Sequence, residues 1–262
     1  MDSSGRRSTT KDSLIDTEAD LRQRWSTMRP PSAPECAGSR SIAIHREIAV
    51  CYFALGNYAQ AQEHIATAEE RQPDNRYLID LSVQIACAQR DEASARRLLN
   101  LLEQVDRPAF AAHRRSRIAD IFGDPQEAYA AAHQAVKLSA RPPFEILTQL
   151  VLTEIKTGRY TSAEEHLTRL SELYPTARTD IQVGLRCRLQ ISQGRFREAL
   201  GLWERLTDKA RPVHRKLRRD AIAGLLERDS LSAEETEGLR VELDDLDAEL
   251  SRARDAELDF LT

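Results

Sequence analysis

The sequence is short of what builds a sheet, a membrane span or a catalytic centre. Aromatic residues are 5% of the 262 residues, with 10 Gly and 10 Pro. In their place stand Ala, Leu, Arg, Glu and Gln, good helix formers and poor strand formers, so the expected fold class is all-α. No run reaches the roughly 18 apolar residues of a transmembrane helix. The opening stretch MDSSGRRSTTKDSLIDTEADL carries positive charge with no apolar segment behind it, which points to a cytoplasmic protein without a membrane partner. Cys36, Cys51, Cys87 and Cys187 lack CxxC spacing, and the last three fall in amphipathic helical patterns. Reduced thiols are expected there, with no zinc and no disulfide. There is no Gly-rich phosphate loop, no GxSxG and no HExxH, and the six His are scattered without i, i+4 pairing. The expectation is therefore a protein without catalytic residues, metal or cofactor.

Net charge is small overall but unevenly spread. The formal net charge is −4, yet residues 229–262 hold twelve acidic and three basic side chains, −9, which leaves +5 for the rest. Two basic clusters stand out: Arg107, His113, Arg114, Arg115 and Arg117, and Arg211, His214, Arg215, Lys216, Arg218 and Arg219. Each is either a site for acidic or phosphate groups or a solvated face. For the second cluster the favoured reading is neutralisation by the acidic segment tethered beside it.

What the sequence does have is a repeat. Gly56, Tyr58, Ala61, Ile65, Ala68 and Pro73 recur at identical offsets as Gly158, Tyr160, Ala163, Leu167, Leu170 and Pro175. Gly123, Ala128, Ala132 and Ala135 keep the register with Pro142 two places late. Arg90, Ala95, Leu99 and Leu102 keep it with the Gly replaced, and Gly194, Phe196, Ala199, Trp203 and Leu206 restate it with Pro212 one place late. Units then start near 42, 76, 109, 144 and 180, a period of about 34. The physics of the order is that of two antiparallel helices joined by a tight turn. Gly permits the reversal, the small Ala five residues on sits where the helices approach most closely, and Pro stops the second helix. In GDPQEA, residues 123–128, Asp124 is the expected N-cap, Pro125 the first helical residue and Glu127 the capping-box partner.

These residues resemble the tetratricopeptide repeat, over about residues 42–213. The resemblance implies a right-handed superhelical solenoid of helix-turn-helix repeats. Residues 1–41 read as a flexible arm in which Leu14, Leu21, Trp25 and Met28 mark one stripe of a short amphipathic helix, about 13–28. The solenoid spans 42–228 in about five and a half repeats, with a sixth start near 214. Residues 229–262 read as an acidic capping helix, with Ser232 and Glu235 as capping box and Leu239, Leu243, Leu246 and Leu250 as its stripe. That stripe is alternatively a seam for homo-oligomers. Repeat 3 places Arg115 and Ser116, and repeat 5 Arg186 and Gln190, at positions expected to be core, which predicts a one-residue shift of their first helices.

By the resemblance, the second, fifth, sixth, ninth, twelfth and thirteenth places of each unit face a concave groove that binds a partner protein or peptide. These places include Arg46, Phe53, Tyr77, Asp80, Gln84, Phe110, His113, Arg114, Arg117, Glu145, Thr148, Gln149 and Lys156, a mixed groove with a positive middle that suits an acidic partner. The family's carboxylate clamp uses Lys at the fifth and Asn at the ninth place of its first unit. Here these are Arg46 and Val50, so chaperone-tail binding is not expected. The function implied is a non-enzymatic scaffold or adaptor. The alternatives are a secretion-type chaperone, a regulatory subunit or peptide receptor, and, less favoured, a nucleic-acid-binding accessory protein. The Ala- and Arg-rich composition associates with bacterial sources.

Overall fold

The computed structural model describes residues 39–228 and 231–256, so the expected N-terminal stripe from Leu14 to Met28 lies outside the described residues. Twelve helices and no strand occur among them. The chain divides into two compact units, up to Pro73 and from Asp74 onward. The first expected repeat falls in the first unit and the later repeats in the second.

The first unit contains α1 (Ser39–Ala54) and α2 (Tyr58–Glu69), packed as a hairpin. Gly56 turns it with φ +73, a conformation that an L side chain adopts only under strain. Ala49, Ala61, Ile65 and Ala68 form its buried face.

The second unit contains α3 (Arg76–Ala88), α4 (Glu92–Val105), α5 (Pro108–Phe122), α6 (Pro125–Lys137), α7 (Phe144–Lys156), α8 (Tyr160–Leu173), α9 (Thr179–Ser192), α10 (Phe196–Trp203), α11 (Pro212–Arg228) and α12 (Ala233–Ala256). Each core patch joins a helix pair to the first helix of the next pair. Phe144, Leu147, Val151 and Ile155 of α7 meet Ala163, Leu167 and Leu170 of α8, and Leu185 and Leu189 of α9. Val183 and Cys187 then meet Ala199 and Trp203 of α10, and Leu217 and Ala221 of α11. Each buried Leu contributes about 1.5–3 kcal/mol by leaving water, so no pair is stable without its neighbour's face.

The closest approaches hold the register. Ala95, Ala128, Ala163 and Ala199 are all 0% exposed. Facing them twelve residues earlier are Val83, Ser116, Val151 and Cys187, equally buried. The expected shift in repeats 3 and 5 therefore does not occur. Ser116 and Cys187 take the small-residue place and satisfy their polar atoms on the facing helix: Ser116 Oγ donates to Ala128 O at 2.7 Å, and Cys187 Sγ to Ala199 O at 3.3 Å. Arg115 stays at the rim, paired with Glu103, while Arg186 donates to Ser171 Oγ at 3.0 Å.

Caps follow the sequence, with one difference. Asp124 accepts from Glu127 N at 2.9 Å, and Pro125 opens α6. The Glu127 carboxylate, however, goes to Arg96 at 3.2 Å instead of closing a capping box, because Asp124 N is already bonded to Ala119 O. At α12, Ser232 N donates to Glu235 and Glu235 N to Ser232 Oγ, a reciprocal box.

Candidate functional site

The first helices α5, α7, α9 and α11 pack in sequence and share one face, which α3 joins through side-chain bonds to α5. On it, Asp80 of α3 accepts two parallel bonds from Arg114 of α5, Nε at 2.5 Å and Nη2 at 2.7 Å. Gln84 Nε2 adds a third at 2.9 Å. Such a bidentate pair is geometrically selective and roughly twice as strong as neutral bonds. Further along, Lys156 of α7 pairs with Asp120 of α5. The expected positive middle is thus largely neutralised by carboxylates one helix away.

Arg117 is deeply set, and burial, reinforced by the Arg114 charge, lowers its pKa. The same surroundings act on His113: burial first, then Arg114 and Arg117, push its imidazole down to about 3. Its buried Nδ1 has no hydrogen-bond partner among the described residues, so at neutral pH the ring is an uncharged group beside two arginines.

One edge of the face is aromatic. Tyr77, 53% exposed, lies under the Arg76 guanidinium at 4.7 Å, and Arg76 Nη2 donates to its hydroxyl at 2.7 Å. Phe110, 36% exposed, lies under Arg107 at 5.1 Å. Both rings sit in the first turn of their helix, so consecutive repeats present the same pairing of ring and guanidinium at the same edge.

The remaining expected residues fall elsewhere. Gln149 is buried, its Nε2 donating to Ser116 Oγ at 3.3 Å, so it ties α7 to α5 and is not open to a partner. Thr148 Oγ1 is returned to Phe144 O of its own helix at 2.8 Å. Glu145 pairs with Arg178 at 2.9 Å. In the first unit, Arg46 pairs with its neighbour Glu47 at 2.6 Å, and the Phe53 ring tilts against Tyr58 at 5.9 Å.

Three arginines of the second basic cluster are covered, while Lys216 is exposed. Arg215 pairs with Glu249 at 3.1 Å, Arg219 with Asp247 at 2.9 Å, and Arg218 with Glu242, all on α12. His214 is buried, with Nδ1 donating to Asp208 O. Leu246 is buried, and Leu239, Leu243 and Leu250 are half-buried. α12 packs on α11.

The sequence profile of the tetratricopeptide repeat matches residues 47–75. Among solved structures, PilW, described as a widely conserved type IV pilus biogenesis factor, is similar with a TM-score of 0.63 at 16% identity, over 82% of this chain and 99% of that one. A thermophilic tetratricopeptide-repeat protein of Thermus thermophilus matches with a TM-score of 0.57 at 19% identity, over 71% and 99%. The chain carries a tetratricopeptide-repeat match in its first helix pair and shares the fold of these solved structures. PilF of Pseudomonas aeruginosa is similar at a TM-score of 0.59 and 13% identity, over 83% of this chain and 98% of that one. No curated protein matches this chain in sequence.

Sequence reasoning missed one residue of the repeat face. Arg188 of α9 occupies in repeat 5 the place that Arg117 holds in repeat 3. It is half-buried, and burial lowers its pKa against the pull of Asp220, Asp120 and Cys187. The repeat period was the signal that could have found it, had the facing of α9 been read in register.

Proposed function

We propose that this chain is a non-enzymatic scaffold that binds an extended segment of a partner protein along the face of α3, α5, α7 and α9. Repeats of this kind are generally non-catalytic interaction modules, and no helix among the described residues is long and apolar enough to cross a membrane. The observation that carries the reading is the pair of exposed rings, Tyr77 and Phe110, each backed by an arginine, on consecutive first helices. Tyr and Arg are the residue types that dominate binding energy at protein interfaces. The name of PilW, a pilus biogenesis factor, makes a component of a multiprotein assembly the first class of partner to try.

The test is affinity purification of the tagged chain from its native cell, comparing wild type with Tyr77→Ala/Phe110→Ala and with Leu101→Ala/Leu138→Ala. The last two positions are exposed apolar residues away from the ring edge. One protein held in stoichiometric amount by wild type and by the leucine control, and lost from the ring variant, is the expected result. Equal retention by the ring variant would refute the assignment.

A further inference from the structure

The carboxylates of the shared face each lie against a cation. Asp80 takes Arg114, Asp120 takes Lys156, and Asp220 shares Arg219 with Asp247, at 3.2 Å and 2.9 Å. Arg188 stands among them with no hydrogen bond or ion pair to any described residue. The two carboxylates that its charge feels, Asp220 of α11 and Asp120 of α5, are each already held by another cation. A guanidinium presents five donors in a fixed fork, and withdrawing it from water without partners is costly.

Its direction follows from the helix. Gln182, Val183, Arg186, Leu189 and Gln190 of α9 line a cleft of about 510 Å³ between α8 and α10. Arg188 lies about 200° around the helix from Arg186, on the side where Asp120 and Asp220 lie. It therefore belongs to the face of the first helices, flanked on that face by Leu152 of α7, half-buried at the same place of the preceding repeat.

We infer that Arg188 is the receptor for a carboxylate side chain of the bound partner segment, gripped by two parallel hydrogen bonds on the face of α7, α9 and α11. This rests on the scaffold reading above and names the chemistry of its partner there: an acidic residue carried on an extended peptide. The fork geometry of guanidinium and carboxylate supplies the selectivity. The neighbouring Asp120 and Asp220 each already face a cation, Lys156 and Arg219, which weakens their repulsion of the incoming one.

A structural arginine and one reserved for a ligand differ in what removal does. A structural arginine leaves broken bonds behind, whereas removing an unpartnered, partly desolvated charge relieves a cost. The experiment uses the full chain and two synthetic hexapeptides, acetylated and amidated at their ends, one made only of glutamate and the other only of glutamine. The readout is the nitrogen-15 arginine Nε–Hε signals in wild type and Arg188→Gln. The expected result is a saturable shift of the Arg188 signal with the glutamate peptide only. Affinity should fall at least tenfold in Arg188→Gln, whose melting midpoint should be equal to or above wild type. Shifts no larger at Arg188 than at exposed Arg205, or equal affinity in the variant, would overturn the assignment. So would a lowered midpoint, which would mark Arg188 as structural. Because the probe is a defined peptide and the variant leaves Tyr77 and Phe110 intact, this outcome is independent of whether a cellular partner is lost in the ring variant.

Discussion

Gly224, in the middle of α11, offers a test in which helix propensity and packing predict opposite signs. Replacing a helical Gly with Ala ordinarily stabilises by about 1 kcal/mol. At Gly224 the added Cβ would stand 2.7 Å from Phe196 Cδ1 and closer still to Cε1 and Cζ, inside any real carbon contact. Phe196 is 7% exposed and lies under the Arg228 guanidinium, so its ring has no free direction in which to retreat. Either α10 and α11 separate, at an overpacking cost of about 1–3 kcal/mol, or the ring gives up burial worth about 3 kcal/mol. Set against the propensity gain, Gly224→Ala should lose about 1 kcal/mol, where propensity alone predicts a gain of the same size. Gly201 in α10 has nothing within 4 Å of the same added atom, so Gly201→Ala should gain about 1 kcal/mol. Urea unfolding followed by circular dichroism reads both. A double variant with Phe196→Ala should show coupling of at least about 1 kcal/mol, since the two side chains compete for one volume. If Gly224→Ala proves more stable than wild type by the same amount as Gly201→Ala, the packing of α11 on α10 described above is wrong.

Other perturbations follow from the same geometry. Ala163 is fully buried at the closest approach of α7 and α8, so Ala163→Leu should cost about 1–3 kcal/mol by overpacking, and an unchanged melting midpoint would contradict the register. Arg90 adopts φ +59 where the other repeats use Gly, and its Nη1 donates to Ile121 O at 3.0 Å. Arg90→Gly trades that bond for relief of strain and should stay within about 0.5 kcal/mol of wild type, while Arg90→Ala loses the bond, keeps the strain and should fall by about 1 kcal/mol. His113 has its folded pKa depressed to about 3 from an ordinary value of 6.5, so the unfolded chain binds more protons between those values and stability falls as pH drops through that window. The loss is about 2 kcal/mol at pH 5, and His113→Leu should flatten the acid limb of a melting-point profile. His166 has its pKa raised by its hydrogen bond to buried Glu154. Its contribution is present below the ordinary value of 6.5 and is lost as pH rises through the raised value, the opposite slope. Deleting residues 229–262 should uncover Arg215, Arg218 and Arg219 and shift elution from heparin to higher salt; unchanged elution would mean that α12 does not mask them.

The architecture was legible because its causes are local. Turn glycines, buried alanines and terminal prolines act within one helix pair, and their spacing survives in the order of letters. Repeats 3 and 5 looked out of register because Arg115, Ser116, Arg186 and Gln190 stood at places expected to be core, although Ser116 and Cys187 fit the same gap as the small residues of the other repeats and return their polar atoms to a facing carbonyl. Charge state on the shared face was not legible. Whether Arg114 is available depends on Asp80, 34 residues earlier, and whether Lys156 is available depends on Asp120, 36 residues earlier. A position in the repeat says which way a side chain points but not what has already claimed it. That is also why Arg188, which nothing described has claimed, was passed over.

The ties between helices of the second unit have a characteristic reach. Arg76 to Asp106, Arg96 to Glu127, Arg114 to Asp80, Gln149 to Ser116 and Lys156 to Asp120 each span 30 to 36 residues, one period of the repeat. Cohesion therefore passes only from neighbour to neighbour, as along a row of coupled links. A break at one link leaves its neighbours with one supported side each, so the ends of the row should open first and the middle last. Tyr77 on α3 stands at one end of that row, where opening is easiest, while Arg188 lies on the fourth of its five pairs, one pair inside the other end. A partner that bridges the two would fasten the loosest links to firmer ones, and its binding would be read as resistance to proteolysis beginning at the α3 end.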